Sequence, residues 1–260
     1  MNPTALQLPP REPKPRSSGV TMMIDSGLPI GYFEDLVASA CEYLDFVKFG
    51  WGTALVTDGL HRKVDVLRSH GVDHYFGGTL FEKHLLQGRL AEFRSLCHEF
   101  HCHYIEVSNG TVDLSNTEKA AHIRAFSDEF RVISEVGFKD SGRADELPPD
   151  QWIECVEEDL AAHACLVTLE SRESGRAGIC RPDGGLRVEL VEELLAQPSF
   201  DGHLLFEAPS TAVQAYLVKR VGPDVNLGNV AATEVLGLET LRLGLRSDTL
   251  TCFEPARVSI

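Results

Sequence analysis

The sequence predicts an α/β protein, a single (β/α)8 TIM barrel, on three observations. Short apolar runs repeatedly end in polar or Gly residues: DFVKFG at 45–50, HYFGGT at 74–79, YIEVSNG at 104–110, VISEVGFKD at 132–140, CLVTLES at 165–171, HLLFEAP at 203–209 and VNLGN at 225–229. Segments of helical period separate most of these runs, the alternation expected of a parallel sheet wound by helices. The chain, at 260 residues, also matches the roughly 250 residues typical of one such barrel. An open, doubly wound sheet is the competing arrangement, and no strand-linked GxGxxG or GxxxxGK[ST] fingerprint supports it.

Residues 1–19 are proline-rich and partly basic, without apolar periodicity, and read as a flexible or surface-draped arm. The barrel is expected over 20–250, with 251–260 as a tail. Strand one, 20–24, delivers Asp25 to its end, and a helix from about 32 to 43 places Phe33, Leu36, Val37 and Ala40 on one face. Strand two, 46–49, contains Lys48, an ammonium inside an apolar run that needs an anionic partner. A helix through Val64 and Leu67 ends near Gly71, and strand three is Tyr75 and Phe76. Gly77, Gly78 and Thr79 follow, with backbone that can approach an anion closely. Glu82 stands beyond, and Leu90, Phe93, Leu96, Cys97 and Phe100 share a helix face.

Strand four carries Glu106 between Tyr104 and Val107 and leads to Ser108, Asn109 and Gly110, after which Ser115 and Glu118 match a capping box. Strand five delivers Glu135, Gly137 lets the backbone turn, and Lys139 follows. A helix over 152–162 precedes strand six, 165–169, which opens onto Glu170, Arg172, Ser174 and Gly175. The turn at 182–185 extends that loop over the barrel mouth. Strand seven, 204–206, ends at Glu207, with Ser210 positioned to cap the next helix, and strand eight, 225–227, precedes Gly228 and Asn229. Ala231, Val235, Leu238, Leu241 and Leu245 give the closing helix its inner face. Trp51 and Phe81 read as loop and helix packing groups.

The net charge of −15 argues against nucleic acid and anionic membrane as partners, yet leaves room for a small anionic substrate in a locally basic pocket. No apolar run approaches the ~20 residues of a membrane span, and no secretory succession opens the chain, so the cytoplasm is the expected location. Seven scattered cysteines, odd in number and without a CxxC pair, indicate neither a disulfide framework nor a structural zinc site. The His101, Cys102, His103 cluster lacks a third ligand in sequence. Self-association is left open.

Barrel enzymes place reactive groups at the C-terminal ends of several strands. Here those ends hold Asp25, Lys48, Glu106, Glu135, Lys139, Glu170, Arg172, Glu207, Asn226 and Asn229. Five of these are carboxylates, which repel one another when packed together. A hard divalent cation relieves that repulsion, and oxygen donors favour Mg2+. Asp25, Glu106, Glu135 and Glu170 are the expected metal ligands. A small phosphorylated anion is expected against Lys48, Gly77, Gly78, Ser108, Arg172, Ser174, Gly175, Glu207, Asn226 and Asn229. Taken singly, each acid has a plainer role open to it, as partner to Lys48, Arg172 or a backbone amide, and Lys48 itself could be a structural ion-pair member.

Eight blocks carry a resemblance: DFVKFGWGT at 45–53, GGTLFE at 77–82, IEVSNGT at 105–111, SEVGFKD at 134–140, RESG at 172–175, FEAP at 206–209, VNLGN at 225–229 and LETLRLGLRSDT at 238–249. In that order they resemble the phosphosulfolactate synthase family. The resemblance implies a magnesium-dependent (β/α)8 barrel that adds sulfite to phosphoenolpyruvate to give (2R)-phospho-3-sulfolactate. It implies Lys139 as general acid, with Glu135, Lys48 and Arg172 in the catalytic set. Ser26, Phe138 and Ser171 depart from the family's blocks and bear on the nucleophile. A related enzyme that adds a different nucleophile to an enol phosphate is therefore the second reading. A non-catalytic homologue binding a metabolite or a protein is the third.

Overall fold

Eight strands of four to six residues run parallel in one sheet in the computed structural model, which describes residues 6–137, 147–171 and 174–253. They are β1 (Thr21–Asp25), β2 (Phe46–Phe49), β3 (Asp73–Phe76), β4 (Tyr104–Val107), β5 (Arg131–Val136), β6 (Ala164–Leu169), β7 (Leu204–Glu207) and β8 (Leu227–Val230). The helices are α1 (Ile30–Ala40), α2 (Leu60–Ser69), α3 (Gly78–Leu86), α4 (Leu90–Glu99), α5 (Asn116–Ser127), α6 (Pro149–Ala161), α7 (Val188–Leu195), α8 (Thr211–Val221) and α9 (Val235–Arg242). Strand order is β3-β2-β1-β8-β7-β6-β5-β4, a (β/α)8 barrel. Its end strands β3 and β4 lie side by side without a regular ladder. Side-chain bonds at both ends of that seam include the Gly78 amide donating to Glu106 Oε2 at 2.6 Å and His103 Nδ1 meeting Asp73 Oδ1 at 2.9 Å.

Local chemistry explains three of the helix starts. Ser115 and Glu118 form the expected capping box at α5, Ser210 Oγ accepts the Val213 amide at α8, and Pro149 opens α6 where no donor is needed. Among the described residues no helix is long and apolar enough to cross a membrane. All seven cysteines are free thiols.

The two-residue period of the strands builds the interior in two levels. Val20, Met22, Phe46, Tyr75, Tyr104, Ile133, Leu166 and Leu205 form an apolar plug inside the ring, with Phe46 edge-on to Tyr104 at 4.8 Å between centroids. Two residues further along four of those strands the inward side chains become Lys48, Glu106, Glu135 and Glu207. A second, larger core lies between sheet and helices and includes Val47, Phe81, Val107, Val167 and Leu238. The ring is thus filled by mainly apolar side chains toward its N-terminal end and charged at its C-terminal mouth.

Strand eight differs from expectation. Leu227, Gly228, Asn229 and Val230 are strand, while Val225 and Asn226 belong to its approach, because pairing with both β1 and β7 sets the strand rather than apolar spacing. Thr21 pairs with Leu227 and Met23 with Val230, so β8 carries one extra residue, a bulge. The described arm residues, 6–19, lie against the N-terminal face. Arg11 Nε pairs with Glu239 at 3.0 Å, Lys14 Nζ donates to the carbonyls of Cys41 and Leu44, and Arg16 pairs with Asp45 at 3.0 Å.

Candidate active site

At the mouth, a cavity of about 350 Å³ is lined by Ile24, Lys48, Trp51, Gly77, Gly78, Thr79, Glu106, Glu135, Glu170, Glu207 and Asn229, with Gly50 and Thr111. Its size suits a small ligand. The acids come from four successive strands. By the ladder pairs Glu106 with Ile133, Glu135 with Thr168 and Thr168 with Leu205, Glu135 stands two residues beyond Glu106 and Glu170 two beyond Glu135, while Glu207 is level with Glu170. Strand tilt turns that stagger into a ring at one level.

Lys48 Nζ sits among them, 3.0 Å from Glu106 Oε2, 3.3 Å from Glu135 Oε2 and 3.5 Å from Glu207 Oε1. Burial opposes its charge, but Glu106, Glu135 and Glu207 outweigh burial and hold its pKa well above the ordinary lysine value. The ammonium therefore persists at neutral pH. Burial acts in the other direction on Glu106, whose pKa is pushed up to about 7 despite Lys48 and the Gly78 amide. Tyr75, beside Lys48 on β3, is raised well above its usual range, first by burial and then by the Glu106 charge.

Glu135, Glu170 and Glu207 each offer an oxygen, and the three oxygens lie within 4.8 Å of one another. Glu207 is held in place by the Ser171 amide at 2.9 Å and by the Asn229 side-chain amide. Asn229 reaches inward because the β8 bulge re-aims it and because it adopts φ 49°, a left-handed conformation that Asn tolerates better than most residues. Glu106 Oε1 and Asn229 Oδ1 are buried oxygens with no hydrogen-bond partner among the described residues. An all-oxygen, carboxylate-rich donor set of this kind fits a hard divalent cation.

At the β3 end the chain turns into α3 at Gly78. A Cβ there would sit 2.3 Å from Ser108 Oγ and 2.7 Å from Ser108 Cβ, so only glycine lets the helix start enter the mouth. Gly137, at φ 129°, plays a similar part after β5, where a Cβ would meet Glu170 Cβ at 2.7 Å and Trp152 at 2.8 Å.

The structure brings Lys48, Gly77, Gly78, Glu106, Glu135, Glu170, Glu207 and Asn229 to one cavity. Several expected residues lie elsewhere. Asp25 faces away from the barrel axis: Lys63 Nζ pairs with its Oδ2 at 2.6 Å and the Gly27 and Leu28 amides donate to its Oδ1, so it holds a turn rather than joining the ring. Asn226 is at the opposite end, tying the Val20 amide to the carbonyls of Gly202 and Leu204, because strand eight starts later than its apolar residues suggest. Ser108 stands behind Gly78 and donates to Glu82 Oε1 at 2.5 Å. Ser174 is exposed and Gly175 packs toward Pro209, outside the cavity lining. Lys139 and Arg172 lie outside the described residues.

Trp51, expected to be a packing group, is half exposed at the cavity edge in a left-handed conformation, φ 51°. Lys63 and Lys119, both buried, escaped sequence reading, and Glu82, placed in sequence only as standing beyond strand three, is buried as well. A signal exists for both lysines: Lys63 shares the buried face of Leu60, Val64 and Leu67, and Lys119 that of Ile123 and Phe126.

An eight-stranded parallel barrel with a ring of buried glutamates around one lysine at its C-terminal mouth has the form of a barrel enzyme. The family model described as (2R)-phospho-3-sulfolactate synthase (ComA) matches residues 9–248. The phosphosulfolactate synthase of Bacillus subtilis (strain 168) is 47% identical over 249 residues, 96% of this chain and 99% of that protein. That of Methanothermobacter thermautotrophicus is 41% identical over 254 residues, 96% and 98% of the two chains. The chain belongs to the phosphosulfolactate synthase family of enzymes. Among solved structures, the 3-keto-L-gulonate-6-phosphate decarboxylase of Vibrio cholerae superposes with a TM-score of 0.56 at 9% identity, covering 91% of this chain and 100% of that one, a likeness of fold alone.

Proposed function

We propose that this enzyme adds sulfite to C3 of phosphoenolpyruvate to give (2R)-phospho-3-sulfolactate, with magnesium held by Glu135, Glu170 and Glu207. The observation that carries the reading is the convergence of those three carboxylates beside Lys48, at a cavity edged by the first turn of α3, in a chain of this family. Sulfur's lone pair forms the C–S bond at C3, the C2–C3 π pair moves toward the C2 carboxylate, and a proton added to C2 completes the addition without a leaving group. A bound magnesium ion would supply positive charge opposite the substrate oxygens that become more negative.

Gly77, Gly78 and Thr79 present the positive end of α3 to the cavity, which favours the substrate phosphate. Lys48, whose ammonium Glu106, Glu135 and Glu207 favour, neutralises part of the carboxylate ring. The family resemblance supports Lys139 as the proton donor to C2 and Arg172 as a forked contact for a substrate oxyanion.

Phosphorus NMR of the protein with phosphoenolpyruvate, sulfite and magnesium tests the reading. A new phosphate-ester signal, lost with chelator and in Lys139→Ala, is the expected result. An unchanged phosphoenolpyruvate signal in protein that binds magnesium would overturn sulfite addition and point to a different nucleophile.

A further inference from the structure

The β4–β5 ladder ends at the Val107–Ser134 pair, one residue short of Glu135, whereas β5–β6 pairing continues through Val136 and Leu169. Glu135 therefore sits past the last rung on its β4 side, where a strand normally frays. A side chain supplies the missing donor. Lys119 on α5, with its side chain fully buried, gives Nζ to the Glu135 carbonyl at 2.9 Å and pairs with Asp159 Oδ2 of α6 at 2.7 Å. Asn116, at the start of α5, donates to Glu158 at 2.8 Å and reaches Asp159 at 3.4 Å, closing the same junction. Trp152, on the buried face of α6 with Asp159, packs against Gly137.

A buried ion pair is a poor source of stability, since well-packed apolar residues of similar size often do as well or better. What an apolar pair cannot do is donate to a carbonyl at the strand end. We infer that Lys119 is a positioning residue for the magnesium site: through Asp159 and the Glu135 carbonyl it fixes the backbone from which the Glu135 carboxylate projects. This inference rests on the reading of Glu135, Glu170 and Glu207 as metal ligands. Partners that orient metal ligands from behind commonly change metal affinity 10- to 100-fold when removed, and a backbone staple belongs at the lower end of that span.

The test separates anchoring from stability. Lys119→Met alone leaves Asp159 buried without its cation and lowers the urea midpoint. The double variant Lys119→Met/Asp159→Ala removes both charges, so its midpoint returns toward that of the parent. Magnesium binding to the full chain, measured by calorimetry without substrate, is expected to be about 10-fold weaker in the double variant. Affinity equal to the parent's would overturn the positioning role, and a double variant that does not fold would make Lys119 a stabilising group instead. A parent protein that binds no magnesium would remove the metal reading itself, and this inference with it.

Discussion

Replacing Lys48 by Met keeps the length of the side chain and deletes the ammonium at the centre of the ring. At an effective dielectric of about 20, a contact of roughly 3 Å is worth about 5 kcal/mol, and Lys48 makes three, at 3.0, 3.3 and 3.5 Å. The cost of burying the ammonium, several kcal/mol, cancels much of that attraction. The remaining loss is limited because the ring can take up a proton, and Glu106 already titrates at about 7. A net destabilisation of about 3–5 kcal/mol at neutral pH follows. It carries a pH signature. Without Lys48 the folded carboxylates hold protons more tightly than unfolded ones, so the variant keeps its stability below the unfolded carboxylate pKa and loses it as pH rises through the raised folded values. Urea unfolding with chelator, at about pH 5 and about pH 8, should show a small deficit at the first and the full deficit at the second. A Lys48→Met protein as stable as the parent at both would refute the central role of this ammonium.

The parent should show a milder form of the same behaviour: with Glu106 raised from 4.5 to about 7, chelated protein loses stability as pH rises across that interval, on the order of 3 kcal/mol, and Glu106→Gln should flatten this limb of the urea profile. Gly78→Ala should cost about 1–3 kcal/mol in urea, because the new methyl drives against Ser108 and shifts the α3 amide off Glu106. In Asn229→Gly the left-handed backbone is retained while the amide on Glu207 is lost; the melting temperature should hardly move while calorimetric magnesium affinity falls. Lys63→Met strands the Asp25 carboxylate in the core and should lower stability by about 3–5 kcal/mol, largely recovered by adding Asp25→Asn.

The barrel was legible because each strand-to-loop transition repeats the same change from apolar to polar residues, and Glu106, Glu135 and Glu207 because they follow an apolar inward residue at a spacing of two, as in Ile133 and Glu135 or Leu205 and Glu207. Asp25 misled for a reason of the same kind: at the end of β1 it stands one residue, not two, beyond the inward Ile24, and so faces Lys63. Asn226 misled because a parallel strand is set by its neighbours: β8 begins only at Leu227, which leaves Asn226 at the end of the barrel opposite the mouth. Lys119 and Lys63 carry nothing in their own identity that marks burial; only the apolar face they share does.

The seam between β3 and β4 has a mechanical side. With no ladder there, the sheet is a curled ribbon whose free edges meet at the mouth. The groups spanning the gap at that end are Gly78 with Glu106, Lys48 with Glu106, and Ser108 with Glu82. Two of these three fastenings, Gly78 with Glu106 and Lys48 with Glu106, also line the cavity, so part of the seam is part of the site. A ligand resting on Gly78, Lys48 and Glu106 therefore touches both edges of the ribbon at once.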